Sequence, residues 1–363
     1  MSDIQEYFCP SLRDMAPYSP IEPPDQIAKR LKLPEEEIIK LDANENPYGT
    51  APHVLEALSR GKYYHIYPDP AQVELREAIG QYAGVDPEMV VGGTGADELI
   101  DLACRLLIEP GDKVLTFTPT FSYYSHLVTL NKGIFQTCPR EPDFSISLEK
   151  VKQLDLSGVK LVFLCSPNNP SGNLLEEEIL DYFLAQSVIV CVDEAYYEFS
   201  RCSFVGKLKK HNNLIILRTF SKCFGLAGLR VGYGLMSREL AAAMMRIKPP
   251  YSVNVAAEVA LRTCLKYLDS YEQQVVTMIE TREWFQEQLA QFSGLNPFPS
   301  HSNYILVKAT GLEAKEIWKQ LEQQGILVRY FNTPQLNSCF RISIGRREQM
   351  ERLLKALQEL LSP

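Results

Sequence analysis

The sequence predicts an α/β protein: a large domain on a mostly parallel central sheet, followed by a smaller α+β domain. From about residue 72, short apolar runs rich in β-branched residues alternate with helix-length amphipathic segments. At Lys248-Pro249-Pro250 that alternation stops. The chain has 363 residues, 45% hydrophobic and 23% charged, so it can fill a large core and more than one domain. The expected division is an N-terminal arm (1–45) that joins the small domain or a dimer contact, a large domain (46–250), and an interdomain helix with the small domain (251–363).

Between Ser11 and Pro52 stand Pro17, Pro20, Pro23, Pro24, Pro34, Pro47 and Pro52. Each proline removes a backbone donor and fixes φ, so this stretch reads as an irregular arm with one short helix near Glu35–Lys40. Strands are predicted at Lys113–Phe117, Lys160–Cys165, Val188–Val192, Leu214–Leu217 and Leu229–Gly232, each apolar nearly throughout, as in sheets buried on both faces. Helices are predicted between them at Ala96–Leu107, Phe121–Leu130 and Glu176–Ala185. One long helix is expected over Val255–Phe292, a stretch without Pro and without Gly. Strands at Ser302–Val307, Ile326–Tyr330 and Cys339–Ile344, with helices at Ala314–Gln324 and Glu348–Leu361, make up the smaller domain.

A net charge of -8 argues against a nucleic-acid surface. No apolar stretch approaches a membrane span, and Met1–Pro10 lacks the apolar core of a signal peptide. The nine cysteines are scattered without a C-x-x-C pair, so neither a metal site nor a disulfide framework is expected, and a cytoplasmic location is.

Chemistry concentrates after the buried strands. Lys222, in Thr219-Phe220-Ser221-Lys222, is placed to enter a crevice at a strand's carboxyl end. Arg230 follows eight residues on; with Thr219 and Ser221 it suits a phosphate. Asp193 ends an apolar run, where an acid needs a partner, and Tyr196 lies three residues beyond. Asn169 sits in the Ser166–Gly172 turn after another run. Gly95, Ala96 and Asp97 open a helix after Gly92-Gly93-Thr94, a setting that suits phosphate. Taken singly, Lys222 also reads as a surface lysine, Arg230 as a salt-bridge partner, Asp193 as a helix cap and the glycines as a tight turn.

Their order is more specific. Glycine loop, Pro119-Thr120-Phe121, Asn169-Pro170-Ser171-Gly172, Asp193-Glu194-Ala195-Tyr196, Thr219–Lys222 and Arg230 together resemble the aspartate-aminotransferase-like enzymes of pyridoxal-phosphate (PLP) fold type I. That resemblance implies a seven-stranded-type sheet between helices and pyridoxal 5'-phosphate bound as a Schiff base to Lys222. It implies Asp193 at the ring nitrogen, Tyr196 and Asn169 at the ring oxygen, and Phe121 on the ring face. Leu41–Gly49, Tyr67-Pro68-Asp69, Ser302-Asn303-Tyr304 and Phe340–Gly345 are similar to the histidinol-phosphate aminotransferase family. This implies transfer of an amino group from L-histidinol phosphate to 2-oxoglutarate, in histidine biosynthesis. It also implies a homodimer with shared sites, in which Tyr67 reaches the partner's cofactor; Tyr67 alone could equally be a packed core aromatic. Tyr18, Asn44, Arg329 and Arg341 become the expected substrate contacts. One arginine could instead pair with a surface acid, Arg329 before Arg341. A threonine-phosphate decarboxylase-like lyase and an aromatic amino-acid aminotransferase are the alternatives. Departures are Phe121 for the common Tyr, Ser171 for Thr, and Arg346-Arg347, read as extra positive charge near the pocket.

Overall fold

The apolar runs are strands, and the strands form two sheets. A computed structural model of the chain describes residues 4–13, 15 and 22–361. Tyr18 lies outside the described residues. In chain order the strands are β1 (Ile39–Leu41), β2 (Val90–Gly93), β3 (Lys113–Thr118), β4 (Ile134–Pro139), β5 (Val159–Cys165), β6 (Ile189–Asp193), β7 (Leu214–Thr219), β8 (Gly232–Met236), β9 (Leu295–Pro297), β10 (Tyr304–Ala309), β11 (Ile326–Tyr330) and β12 (Cys339–Ser343).

The larger sheet has seven strands in the order β2-β8-β7-β6-β5-β3-β4. Every neighbouring pair is parallel except those of β8, which runs antiparallel to β2 and β7. Successive side chains leave a strand on opposite faces. Val162, Leu164, Val190, Val192 and Ile216 accordingly enter one core, and Leu161, Phe163, Cys191, Ile215 and Leu217 the other. A strand covered on both sides cannot alternate apolar with polar, hence the continuous runs. Helices Gly95–Leu107, Tyr123–Leu130 and Arg238–Ile247 cover one face, while Val73–Ala83, Glu177–Leu184 and Val255–Lys266 cover the other. The parallel strands end together at Thr118, Cys165, Asp193 and Thr219, which makes that edge a ligand crevice.

The smaller sheet has five strands in the order β1-β11-β12-β10-β9, with β1 parallel to β11 and the other pairs antiparallel. A segment that precedes the large sheet thus supplies an edge strand of the other.

Several expected boundaries differ. The proline-rich arm contains a helix, Pro24–Leu31, because Pro24 occupies its first position, where no N–H is needed. The helix expected at 35–40 is a single 3-10 turn, Glu35–Glu37, that leads into β1. The long helix is broken: Val255–Lys266 and Leu268–Leu289 flank Tyr267, whose φ of -120° and ψ of 45° leave the helical region. The Tyr267 ring stacks on His53 with centroids 4.0 Å apart. The strand expected from Leu229 begins at Gly232, because Ala227–Leu229 is a 3-10 turn and Arg230 has a left-handed φ of 54°.

Candidate active site

At the carboxyl edge of the large sheet lies a cleft of about 670 Å³, closed on its far side by Ala43–Glu45 and by residues of the smaller sheet. Asn44, Ala96, Asp97, Phe121, Asn169, Asp193, Tyr196, Thr219, Ser221, Lys222, Arg230, Arg329 and Arg341 all line it. Residues up to 297 apart in sequence are brought together (Asn44 to Arg341), by the large sheet's strand ends and by the crossing of β1 into the small sheet. Tyr67 stands elsewhere, 77% exposed and stacked on Tyr251 at 4.6 Å, so it is not a core aromatic.

Lys222 follows β7, and its Nζ donates to the Ala43 carbonyl at 3.1 Å. Burial first, then the positive charge of Arg341, pulls its pKa down to about 8. About a tenth of the amine is therefore neutral and nucleophilic at pH 7, far more than for an ordinary lysine.

Asp193 ends β6 and is 5% exposed. Its carboxylate accepts from the Tyr124 hydroxyl at 2.6 Å and from the Ala195 N–H at 3.0 Å. Burial pushes its pKa up to about 6 against those two bonds. Among the described residues it forms no ion pair, so this carboxylate can receive a protonated ring nitrogen.

The Tyr196 hydroxyl accepts from Asn44 Nδ2 at 2.9 Å and Asn169 Nδ2 at 3.4 Å, which leaves its own proton to donate. Burial raises its pKa, opposed by Arg341. Asn44 has a left-handed φ of 57° and is anchored from the small sheet: Ser343 Oγ donates to its Oδ1 at 2.9 Å, and Asn303 Nδ2 donates to its carbonyl at 2.9 Å. Arg341 donates to Asn169 Oδ1 at 2.6 Å and to the Asp42 carbonyl at 2.7 Å. Its buried Nε has no partner. Among the described residues neither Arg341 nor Arg329 forms an ion pair, so the surface-acid reading of Arg329 fails.

A phosphate-sized cradle sits at the start of helix Gly95–Leu107, whose first-turn N–H groups have no intrahelical acceptor. Thr219 Oγ1 and Ser221 Oγ lie 3.0 Å apart beside it. Arg230 pairs with Asp97 at 2.7 Å. A Cβ on Gly95 would lie 2.6 Å from Arg230 Nη2, and one on Gly232 would lie 2.6 Å from the Ala96 nitrogen. At Gly232 only glycine lets the two backbones approach, and Gly95 has a left-handed φ of 75°. Phe121 forms a cleft wall, edge-on to Tyr124 at 5.4 Å.

Sequence reasoning missed Tyr124, which looked like any helical tyrosine; its partner Asp193 is 69 residues away. It also gave no role to Tyr304, whose hydroxyl donates to the Asn168 carbonyl at 2.7 Å and so ties the small sheet to the turn holding Asn169. Arg346 and Arg347 do not add charge to the cleft. Arg346 donates to the Pro47 carbonyl at 3.1 Å, while Arg347 covers the Trp284 ring at 3.2 Å and pairs with Glu351.

Residues 36–357 match the family model for aminotransferase class I and II. The chain belongs to that family. It is 42% identical over 358 residues, covering 99% of both chains, to a histidinol-phosphate aminotransferase of Dehalococcoides mccartyi. It is 42% identical over 352 residues to the chloroplastic histidinol-phosphate aminotransferase of Nicotiana tabacum, covering 96% of this chain and 85% of that one. The crystal structure of a histidinol-phosphate aminotransferase from Sinorhizobium meliloti in complex with pyridoxal-5'-phosphate superposes with a TM-score of 0.87 at 27% identity, covering 98% of this chain and 97% of that one. The Asp193 carboxylate, hydrogen-bonded but without an ion-pair partner among the described residues, the lysine of lowered pKa and the glycine-lined cradle of this aminotransferase fit such a group. Among the described residues no helix is long and apolar enough to cross a membrane.

Proposed function

We propose that this aminotransferase uses pyridoxal 5'-phosphate to transfer the amino group of L-histidinol phosphate to 2-oxoglutarate. The cofactor, when bound, supplies an aldehyde for amines and a ring that withdraws electrons from the substrate's Cα.

The chain's residues supply the rest. Lys222 Nζ would hold the cofactor through its aldehyde, and as a free amine it would carry the proton taken from the substrate's Cα. Asp193 keeps a proton on the ring nitrogen, and Tyr124 aims its carboxylate. Tyr196 and Asn169 hydrogen-bond the ring oxygen, with Asn44 orienting Tyr196. Phe121 lies on the ring face. Thr219, Ser221, Arg230 and the N–H groups of Gly95, Ala96 and Asp97 hold the phosphate. Tyr67 reaches the phosphate of a second copy, which makes the working unit a homodimer, and its exposure beside Tyr63, Tyr64 and Ile66 supports that role. Arg341 and Arg329 take the substrate's phosphate in one half-reaction and glutamate's carboxylates in the other, with Tyr18 as a further substrate contact. The domain division is 1–45, 46–250 and 251–363. All nine cysteines are free and seven are buried, which supports a reducing, cytoplasmic setting.

The observation that carries the substrate reading is the Arg341 guanidinium, buried at the cleft with one N–H unpaired and no carboxylate partner among the described residues. A buried cation in that state calls for an anion. The similarity to the relatives above points to which one. The test is a substrate panel on cofactor-loaded protein with 2-oxoglutarate: L-histidinol phosphate, phenylalanine and threonine phosphate. Glutamate formation with histidinol phosphate and no carbon dioxide from threonine phosphate is expected. Turnover of phenylalanine with histidinol phosphate inert would overturn the substrate; carbon dioxide release would overturn the reaction.

A further inference from the structure

Arg140 follows the end of β4 and does not line the cleft, yet its side chain reaches the turns that build it. Its backbone N–H donates to the Thr118 carbonyl at 2.8 Å. Its guanidinium spends a donor on each of three acceptors: Nε on the Phe117 carbonyl at 3.2 Å, Nη1 on the Phe144 carbonyl at 2.9 Å, and Nη2 on Asn168 Oδ1 at 3.0 Å. All three acceptors are neutral. Among the described residues Arg140 forms no ion pair, and burial pulls its pKa down to about 10. A cation desolvated against neutral partners alone costs stability, so what it secures matters.

What it secures is Asn168, which is fully buried. Asn168 Oδ1 accepts from Thr120 Oγ1 at 2.8 Å as well as from Arg140. Its Nδ2 donates to the Pro119 carbonyl at 3.1 Å and to Ser171 Oγ at 2.7 Å. Its N–H donates to the Asn173 carbonyl at 2.8 Å, and its own carbonyl accepts from the Tyr304 hydroxyl. Every polar atom of Asn168 is thus engaged. These bonds fasten the turn after β3, which carries Phe121, to the turn after β5, which carries Asn169. Asn169 is the next residue and lines the cleft. Arg341 holds its Oδ1, which turns its Nδ2 towards the Tyr196 hydroxyl.

We propose that Arg140 is a positioning residue that, through Asn168, fixes the amide donor of Asn169 against the cofactor's ring oxygen. The inference rests on the role given to Asn169 above. A donor on that oxygen draws off negative charge that would otherwise hold a proton on the nitrogen joining cofactor and Lys222. Loosening the donor therefore raises the pKa of that nitrogen. Lysine is no substitute, because one ammonium on a flexible stem cannot serve three separate acceptors as a rigid fork does.

The test follows the visible absorption band of the cofactor-loaded protein against pH, for wild type, Arg140→Met and Arg140→Lys, with urea melts to check that each is folded. The midpoint of the band should move up by about half a pH unit or more in both variants. A side chain that only braced the fold would change the melt and leave the midpoint in place. Arg140→Lys keeps the charge, so a wild-type midpoint in that variant would overturn the proposal. Should Arg140→Met fail to fold, the lysine variant carries the test alone. Asn169→Ala supplies a second arm: once the amide is gone, adding Arg140→Lys should move the midpoint no further. A fully additive shift would overturn the proposal too. Absence of any visible band from the wild-type protein would bring down the cofactor reading and this inference together; a band whose midpoint does not move brings down this inference alone.

Discussion

Lys222 and Arg341 act on each other without touching a common proton. The arginine's charge is the second cause, after burial, of the lysine's lowered pKa. Arg341→Gln removes it. In cofactor-free protein the Lys222 pKa then rises from about 8 towards that of an ordinary lysine, and less neutral amine is present at pH 8. Capture of added pyridoxal phosphate slows there, and its midpoint in a pH series moves to higher pH; an unmoved midpoint would show that burial alone sets the value. Tyr124→Phe tests the other end of the ring site. The ring stays stacked on Phe163 at 4.7 Å, but Asp193 loses a bond that favours its charged form. Asp193 already has a folded pKa raised to about 6, so its contribution to stability is present below the unfolded value and is lost as pH rises through about 6. The substitution deepens that loss. Urea melts should show a deficit of about 1–3 kcal/mol at pH 8 that shrinks towards pH 4. Lys222, Asp193 and Asn169 were legible in the sequence because each follows an apolar run within a short motif. Tyr124 was not, because what distinguishes it is a partner, Asp193, that only the folded chain reveals.

Among the elements, legibility followed the length of the buried apolar run, so that β2, buried throughout but only four residues long with two glycines, went unread. Strands β5, β6 and β7 were read nearly to their ends because both faces are covered, while edge strand β4, mostly exposed or half-buried, carries no such run. Helix Val73–Ala83 went unread, and the break at Tyr267 was invisible because neither proline nor glycine marks it. The element most exacting in its sequence is β8, whose first residue touches backbone on two sides. A Cβ on Gly232 would lie 2.6 Å from the Ala96 nitrogen and 2.8 Å from the Arg218 carbonyl oxygen, and backbone atoms of two elements cannot both give way. Gly232→Ala should therefore destabilise the fold by about 1–3 kcal/mol and weaken retention of the cofactor by displacing the start of helix Gly95–Leu107. Gly206, with nothing within 4 Å of its added Cβ, is the control: Gly206→Ala should leave cofactor retention unchanged and raise stability by no more than about 1 kcal/mol. Denaturant melts and cofactor titration of the two variants check this.

For the whole molecule, the proposed sharing of sites between two copies makes a sharp prediction. Lys222→Ala and Tyr67→Ala should each cripple the proposed homodimer. When the two inactive proteins are unfolded together and refolded, a mixed dimer has one site with both natural residues, and roughly a quarter of wild-type activity should return. No recovery would place lysine and tyrosine of one site on the same chain. Within a copy, Tyr304 and Arg341 join the small sheet to the Asn168-Asn169 turn of the large one. The Lys222 bond to the Ala43 carbonyl belongs with them, since Ala43 lies just beyond the end of β1. One amine is thereby asked to serve two masters. An amine taken up by the cofactor's aldehyde cannot also clasp residue 43, so loading the cofactor gives up one of the ties between the two sheets.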